Sequence, residues 1–124
     1  MYLNEVQAVI NIEDVNLHCL LDSGSETNLI GVQILNKYIP NWRGLADAQG
    51  PEFGIGASGH QFKMLATKLF KFSINGKSFN NPMLISDNME EVLLGLPFLK
   101  SAHVTMTFSD NNVDLYVDNI LLVS

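Results

Sequence analysis

The sequence is short of the residues that several common chemistries need. It has one cysteine, Cys19, inside an apolar run. No disulfide can close within the chain, and the thiol reads as a core residue. The three histidines, His18, His60 and His103, are scattered, with no cysteine near His60 or His103. That is not metal-ligand spacing, so no zinc site, and no cofactor of any kind, is expected. Lysine and arginine number only 7 against 13 acids, giving a net charge of −6 without any basic cluster. Neither nucleic acid nor an anionic membrane is expected as a partner. No apolar run approaches the roughly 18 residues of a membrane span. The N-terminus shows no basic region followed by an apolar stretch, so no signal peptide is expected. There is no N-x-[ST] acceptor site. These absences together suit a reducing, intracellular compartment.

What is present suits a packed core. Of 124 residues, 47% are hydrophobic and 16% charged, which places the chain among globular domains and away from disordered ones. The length fits one domain, 1–124, with a core over about 5–118. Val6, Ala8, Ile10 and Ile12 alternate with other residues, then Glu13-Asp14 interrupts, and Val15, Leu17, Cys19 and Leu21 alternate in turn. This predicts a hairpin over 5–21. A short strand over about 28–30 and a helix of one or two turns over 32–38, stopping before Pro40, follow. Phe62 to Ile74 alternates with a strand period, the even positions on one side. Asn75-Gly76 then predicts a tight hairpin turn into a strand over about 77–86. Val92 to Leu94 reads as a buried strand and Leu96 to Ala102 as a short helix whose Pro97 lies in the first turn. Strands over 104–108 and 113–117 form a closing hairpin. The sum is a mostly β domain, a small closed or orthogonally packed barrel with two short helices.

The chemistry centres on Leu20-Leu21-Asp22-Ser23-Gly24-Ser25-Glu26-Thr27-Asn28-Leu29-Ile30. An apolar strand runs up to one acid, a Ser-Gly turn follows, and a second apolar run leaves. A carboxylate placed there is costly unless it is paired or put to use. Asp-Ser-Gly by itself is usually only a turn. Here a second apolar-apolar-Gly unit, Leu93-Leu94-Gly95, lies near the other end of the domain, and the glycine-rich Gly54 to Gly59 lies between them.

That order resembles the retropepsins, the aspartic proteases of retroviruses and retrotransposons. Leu94-Gly95-Leu96-Pro97-Phe98-Leu99 and the closing hairpin look most like the gypsy-type branch of the long-terminal-repeat retrotransposons. The resemblance covers about residues 5–118. It implies a closed barrel of the acid-protease type. It also implies a homodimeric aspartic endopeptidase in which each chain gives one catalytic Asp22, acting on a peptide or polyprotein substrate such as a retroelement Gag-Pol precursor. Cytoplasmic particles would then house the protein. Ser23 would hydrogen-bond across the dimer, while Gly24 and Ser25 would line the active-site loop. Glu26, Thr27, Ile55, Gly56, Ala57, Ser58 and Gly59 would contact substrate, the last four as the tip of a flap. Leu93, Leu94 and Gly95 would support the loop. Two departures from the family stand out. Glu26 occupies a position where many members have Asp, and Leu96 one where many retroviral members have Arg, so an interprotomer ion pair is not available there.

Other readings of the same residues are weaker. Gly54-Ile55-Gly56-Ala57-Ser58-Gly59 has the letters of a dinucleotide-binding loop, but a strand period rather than a helix follows it. Ser23 and Ser25 lack the strand-to-helix elbow of a serine nucleophile. Trp42 reads as a packing residue. A non-catalytic dimerisation or peptide-binding module, and a cellular protease of this type with a host substrate, both remain open on the sequence.

Overall fold

The computed structural model describes residues 5–49, 53–55, 61–87, 89–108, 113–117 and 120–123. Two antiparallel strands come first, β1 (Glu5–Ile12) and β2 (Val15–Asp22), paired from Glu5↔Asp22 to Ile12↔Val15. The alternation seen in the sequence has its physical counterpart here. Ala8, Ile10, Ile12, Leu17, Cys19 and Leu21 are buried, and the residues between them are wholly or partly exposed. The two-residue turn between the strands holds Glu13 and Asp14 at φ 50° and 66°, the left-handed region that a type I′ hairpin demands.

Next come β3 (Leu29–Gly31), α1 (Val32–Tyr38) and a single 3₁₀ turn at Trp42–Gly44. Helix α1 buries Leu35 and ends at Ile39, just ahead of Pro40. Trp42 is buried and donates its indole N–H to the Asn36 Oδ1 at 3.0 Å. A short β4 (Phe53–Ile55) pairs antiparallel with the long β5 (Gln61–Ile74), from Phe53↔Lys63 to Ile55↔Gln61. Asn75 and Gly76, at φ 49° and 82°, turn β5 into β6 (Lys77–Ser86) as their sequence predicts. The even-numbered alternation predicted from Phe62 to Ile74 holds only for part of β5. The pairing with β6 slips between Met64 and Ala66, a bulge that puts Leu65 outside the ladder and resets the phase. From Lys68 to Ile74 the even positions are buried.

Then follow β7 (Val92–Leu94), α2 (Leu96–Ser101), β8 (Val104–Phe108), β9 (Val113–Val117) and β10 (Ile120–Val123). The closing element is therefore a three-stranded meander, β10-β9-β8, and not the two-stranded hairpin expected from the sequence.

The main sheet closes on itself. Strands β1, β2, β7, β3, β6 and β5 follow one another around a ring, and Asn11↔Ser73 joins β5 back to β1. Two of these contacts are parallel, β2 with β7 and β3 with β6. The result is a small closed β-barrel with two short helices. Its interior holds Ile10, Leu21, Ile30, Phe70, Met83, Ile85, Val92 and Leu94, and α2 drives Phe98 into the same cluster. Phe98 meets Phe79 edge-on at 5.0 Å between ring centres. No helix among the described residues is long and apolar enough to cross a membrane.

Candidate active site

Asp22 is the last residue of β2, and the parallel pairing with β7 fixes where it ends. Leu20 lies opposite Leu93 and Leu21 opposite Leu94, so both strands run out of the barrel at the same level, one into Asp22 and the other into Gly95. Leu21 and Leu94 are fully buried, which anchors the two exits in the core. Asp22 itself is half-buried. Its Oδ1 accepts the Gly24 N–H at 2.8 Å, an Asx-type turn that aims the carboxylate back over its own loop.

The loop beyond Asp22 is stiffened by its own polar groups. Ser25 N–H donates to the Asp22 carbonyl at 3.2 Å. The Ser25 hydroxyl donates to the Thr27 carbonyl at 2.8 Å and accepts the Thr27 N–H at 3.3 Å. Leu96 N–H donates to the Ser25 carbonyl at 2.8 Å, which ties the loop to the start of α2. Gly24 and Glu26 are exposed, while Ser23, Ser25 and Thr27 are half-buried. Ser23 faces a cavity of about 400 Å³ that it shares with Leu96, Leu99, Lys100, His103, Val104 and Met106.

The remaining predicted residues divide. Gly95 is buried directly under the loop. Leu93 is half-buried and packs with Leu29, Leu84 and Met89 in a small cluster of its own. Ile55 ends β4 opposite Gln61, so a paired β-hairpin leads towards the glycine-rich segment. Gly56, Ala57, Ser58 and Gly59 lie outside the described residues. Among the described residues no group of three or more His, Cys, Asp or Glu side chains could hold a metal ion.

Two residues escaped the sequence reading. Asn28, read only as the start of the short strand, is buried and hydrogen-bonded to two other segments. Gly31 is pressed against the Met89 backbone, and its N–H donates to the Glu91 carbonyl at 3.1 Å. A buried polar residue between an exposed turn and an apolar run, and a glycine at a strand-to-helix joint, were the available signals.

No protein-family model matches the sequence, and no curated protein does. The structure does match solved ones. The retroviral protease-like domain of Ddi1 from Leishmania major superposes with a TM-score of 0.73 at 14% identity, over 98% of this chain and 94% of that one. The fold is that of the retropepsin-like aspartic proteases. The retropepsin fold recurs in EIAV protease, solved with an inhibitor, at a TM-score of 0.65 and 21% identity, over 87% of this chain and 99% of that one. A retropepsin-like aspartic protease from Rickettsia conorii gives 0.65 at 16% identity, over 90% and 89%.

Proposed function

We propose that two copies of this chain form an aspartic endopeptidase, each supplying one Asp22. The observation that carries this reading is the setting of Asp22 on the retropepsin fold. It ends β2 on a loop braced by Gly95 and Leu96, with the Gly24 N–H donating to its Oδ1. A single carboxylate cannot serve one water as both acid and base. The chain has no second Asp-Ser/Thr-Gly, so the complementary acid comes from a second copy about a two-fold axis.

Two carboxylates at contact distance hold one proton between them and titrate as a pair. The ionised member takes a proton from a bound water, and the water oxygen attacks the scissile carbonyl. The protonated member hydrogen-bonds the oxygen on which negative charge develops, and the leaving nitrogen is protonated as the bond breaks. The Ser25–Thr27 loop and the exposed Glu26 offer polar groups to the peptide main chain, and the β4–β5 hairpin supplies a flap.

Pairing finds support in β8. Among the described residues it pairs only with β9, leaving one edge open. Val104–Phe108 contains neither Pro nor charge, the usual protection of a solvent edge. Val104 and Met106 line the same cavity as Ser23, so the open edge adjoins the catalytic turn. The substrate in this reading is a retroelement polyprotein processed in the cytoplasm.

The Leishmania domain aligns with more of this chain than EIAV protease does, 98% against 87%. A second reading is a cellular retropepsin-like domain acting on a host protein, a retroviral protease-like domain being part of Ddi1 in Leishmania major. Cleavage of a panel of gag-derived and host-derived peptides at mildly acidic pH, run beside sedimentation, tests both. Asp22→Asn retains an Oδ1 for the Gly24 N–H, so it should fold and dimerise but not cleave. Full activity in that variant would sink the proposal, and a stable wild-type dimer that cuts nothing would make the chain a binding module.

A further inference from the structure

Asn28 is 1% exposed, and both polar atoms of its amide are engaged. Its Oδ1 accepts the Gly95 N–H at 2.9 Å, and its Nδ2 donates to the Pro82 carbonyl at 2.9 Å. Its own carbonyl accepts the Leu84 N–H at 2.9 Å. One residue thus joins the loop after Asp22, the β7–α2 joint and the middle of β6. The other tie between loop and joint, Leu96 N–H to Ser25 carbonyl at 2.8 Å, is made by backbone alone. Together the two ties bracket the Ser25–Asn28 segment at both ends. Asn28 contributes the only side chain to that bracket that is locked from both of its polar atoms.

We infer that Asn28 is a positioning residue, which sets the height and tilt of the Asp22 loop through Gly95. The inference rests on the reading of Asp22 as a catalytic acid. Without the Asn28 amide, the buried Gly95 N–H is left unpaired, and the carbonyl of the more exposed Pro82 loses its protein partner. The loop then recovers those bonds only by moving, and Asp22 moves with it. Misplacement of a reacting group by about 1 Å costs on the order of a hundredfold in rate. The loss falls on kcat through Asp22, and KM rises with it, because the Ser25–Thr27 segment that meets the peptide main chain moves with the same loop.

Two substitutions separate this role from simple packing. Asn28→Leu keeps the volume and removes both hydrogen bonds. Asn28→Asp keeps the shape, and while protonated it also keeps both bonds, since one oxygen accepts from Gly95 and the O–H donates to Pro82. Once ionised, it sets a carboxylate against the Pro82 carbonyl.

The test is steady-state kinetics together with ¹³C NMR of the Asp22 carboxyl and the Gly24 amide over a pH series. In folded Asn28→Leu, kcat should fall about tenfold or more, and the Asp22 titration and Gly24 amide shift should move. Asn28→Asp should match the parent at acid pH and lose kcat at higher pH, along a limb additional to the parent's own. A folded Asn28→Leu with unchanged kcat and unchanged Asp22 titration overturns the inference. If that variant does not fold, Asn28→Asp decides, and a pH profile identical to the parent's overturns it equally. A wild type that cleaves nothing, with an Asp22 titration that still moves in the variants, removes the protease reading and leaves the positioning role standing.

Discussion

Gly95 lies so close beneath Ser25 that a β-carbon added to it would stand 2.6 Å from the Ser25 carbonyl oxygen, and the Thr27 carbonyl would be nearer still. The backbone at Gly95 is extended, with φ −101°, so any residue could adopt it. Space alone requires glycine. Both obstructing atoms are backbone oxygens of the loop that follows Asp22, and neither can rotate aside.

Gly95→Ala should therefore lift that loop and strain its tie from Leu96 to Ser25. Overpacking of this kind costs about 1–3 kcal/mol. Chemical denaturation should show a lower midpoint at unchanged slope. Peptide cleavage should fall further than stability does, because the displaced loop carries Asp22. Gly31→Ala offers a comparison. It meets the Met89 backbone at the other end of β7, so it should destabilise without a separate loss of turnover per folded molecule.

These two glycines show where the sequence is legible. The hairpins were readable because alternation and turn chemistry are local signals, as at Val15 to Leu21 and Asn75-Gly76. The place of Asp22 at a strand exit followed from the same pattern. Contacts between distant segments left no such mark. Gly31 meets Met89, and Asn28 bonds Gly95 across 67 positions, and the local signals at Gly31 and Asn28 do not name those distant partners. The bulge at Leu65 is invisible to a period count, since one extra residue resets the phase without altering composition. Ile120–Val123 was a visible apolar run, but it had no partner until β9 presented its second edge.

The buried thiol of Cys19 gives a prediction in pH. Desolvation pushes it up from 9.0 to about 12, partly offset by a hydrogen bond from the Ala8 backbone. Native Cys19 should resist thiol reagents at pH 8 and react fully once the chain is unfolded. The folded state holds this proton more tightly than the unfolded one. Its contribution is complete below about 9 and is lost as pH rises towards 12. In that window stability should fall by up to about 1.4 kcal/mol per pH unit, and Cys19→Ala should flatten the slope. A slope identical in both proteins would exclude Cys19 as its source.

The Lys68 ammonium reaches inward, its side chain 11% exposed, to the Arg43 carbonyl at 3.1 Å and to Asp47 at 2.6 Å. Asp47 is on the surface, so the two partners are not equivalent. Asp47→Ala leaves a buried cation with one carbonyl and should cost about 1–2 kcal/mol. Lys68→Met on that background keeps the apolar stem and removes the charge, and should recover most of the loss. A double-mutant cycle in urea measures the coupling. Additive effects would show that the pair is incidental.

Glu13 and Asp14 sit at φ 50° and 66°, where side chains other than Asn, Asp and Gly are strained. Replacing them with Asn-Gly, the pair already used at Asn75-Gly76, should stabilise the β1–β2 hairpin by about 1 kcal/mol. The turn lies at the opposite end of β2 from Asp22, so cleavage per folded molecule should not change. Calorimetry beside the peptide assay reads both quantities.

The open edge of β8 supplies the last prediction. Phe108 ends that strand at 53% exposure, large and apolar on an edge that lacks any charge. If a second copy pairs there, Phe108→Lys places two ammonium groups near the two-fold axis and removes apolar contact. The dissociation constant of the dimer should rise about tenfold or more, equivalent to roughly 1.4 kcal/mol. Cleavage should then be lost at low protein concentration and return as concentration rises, because the monomer still carries an intact Asp22 loop. A lysine at an exposed edge position should barely alter monomer unfolding. Sedimentation across a concentration series, paired with the peptide assay, follows both effects. An unchanged dissociation constant would move the seam away from β8 and require another face of the barrel to bring the two Asp22 loops together.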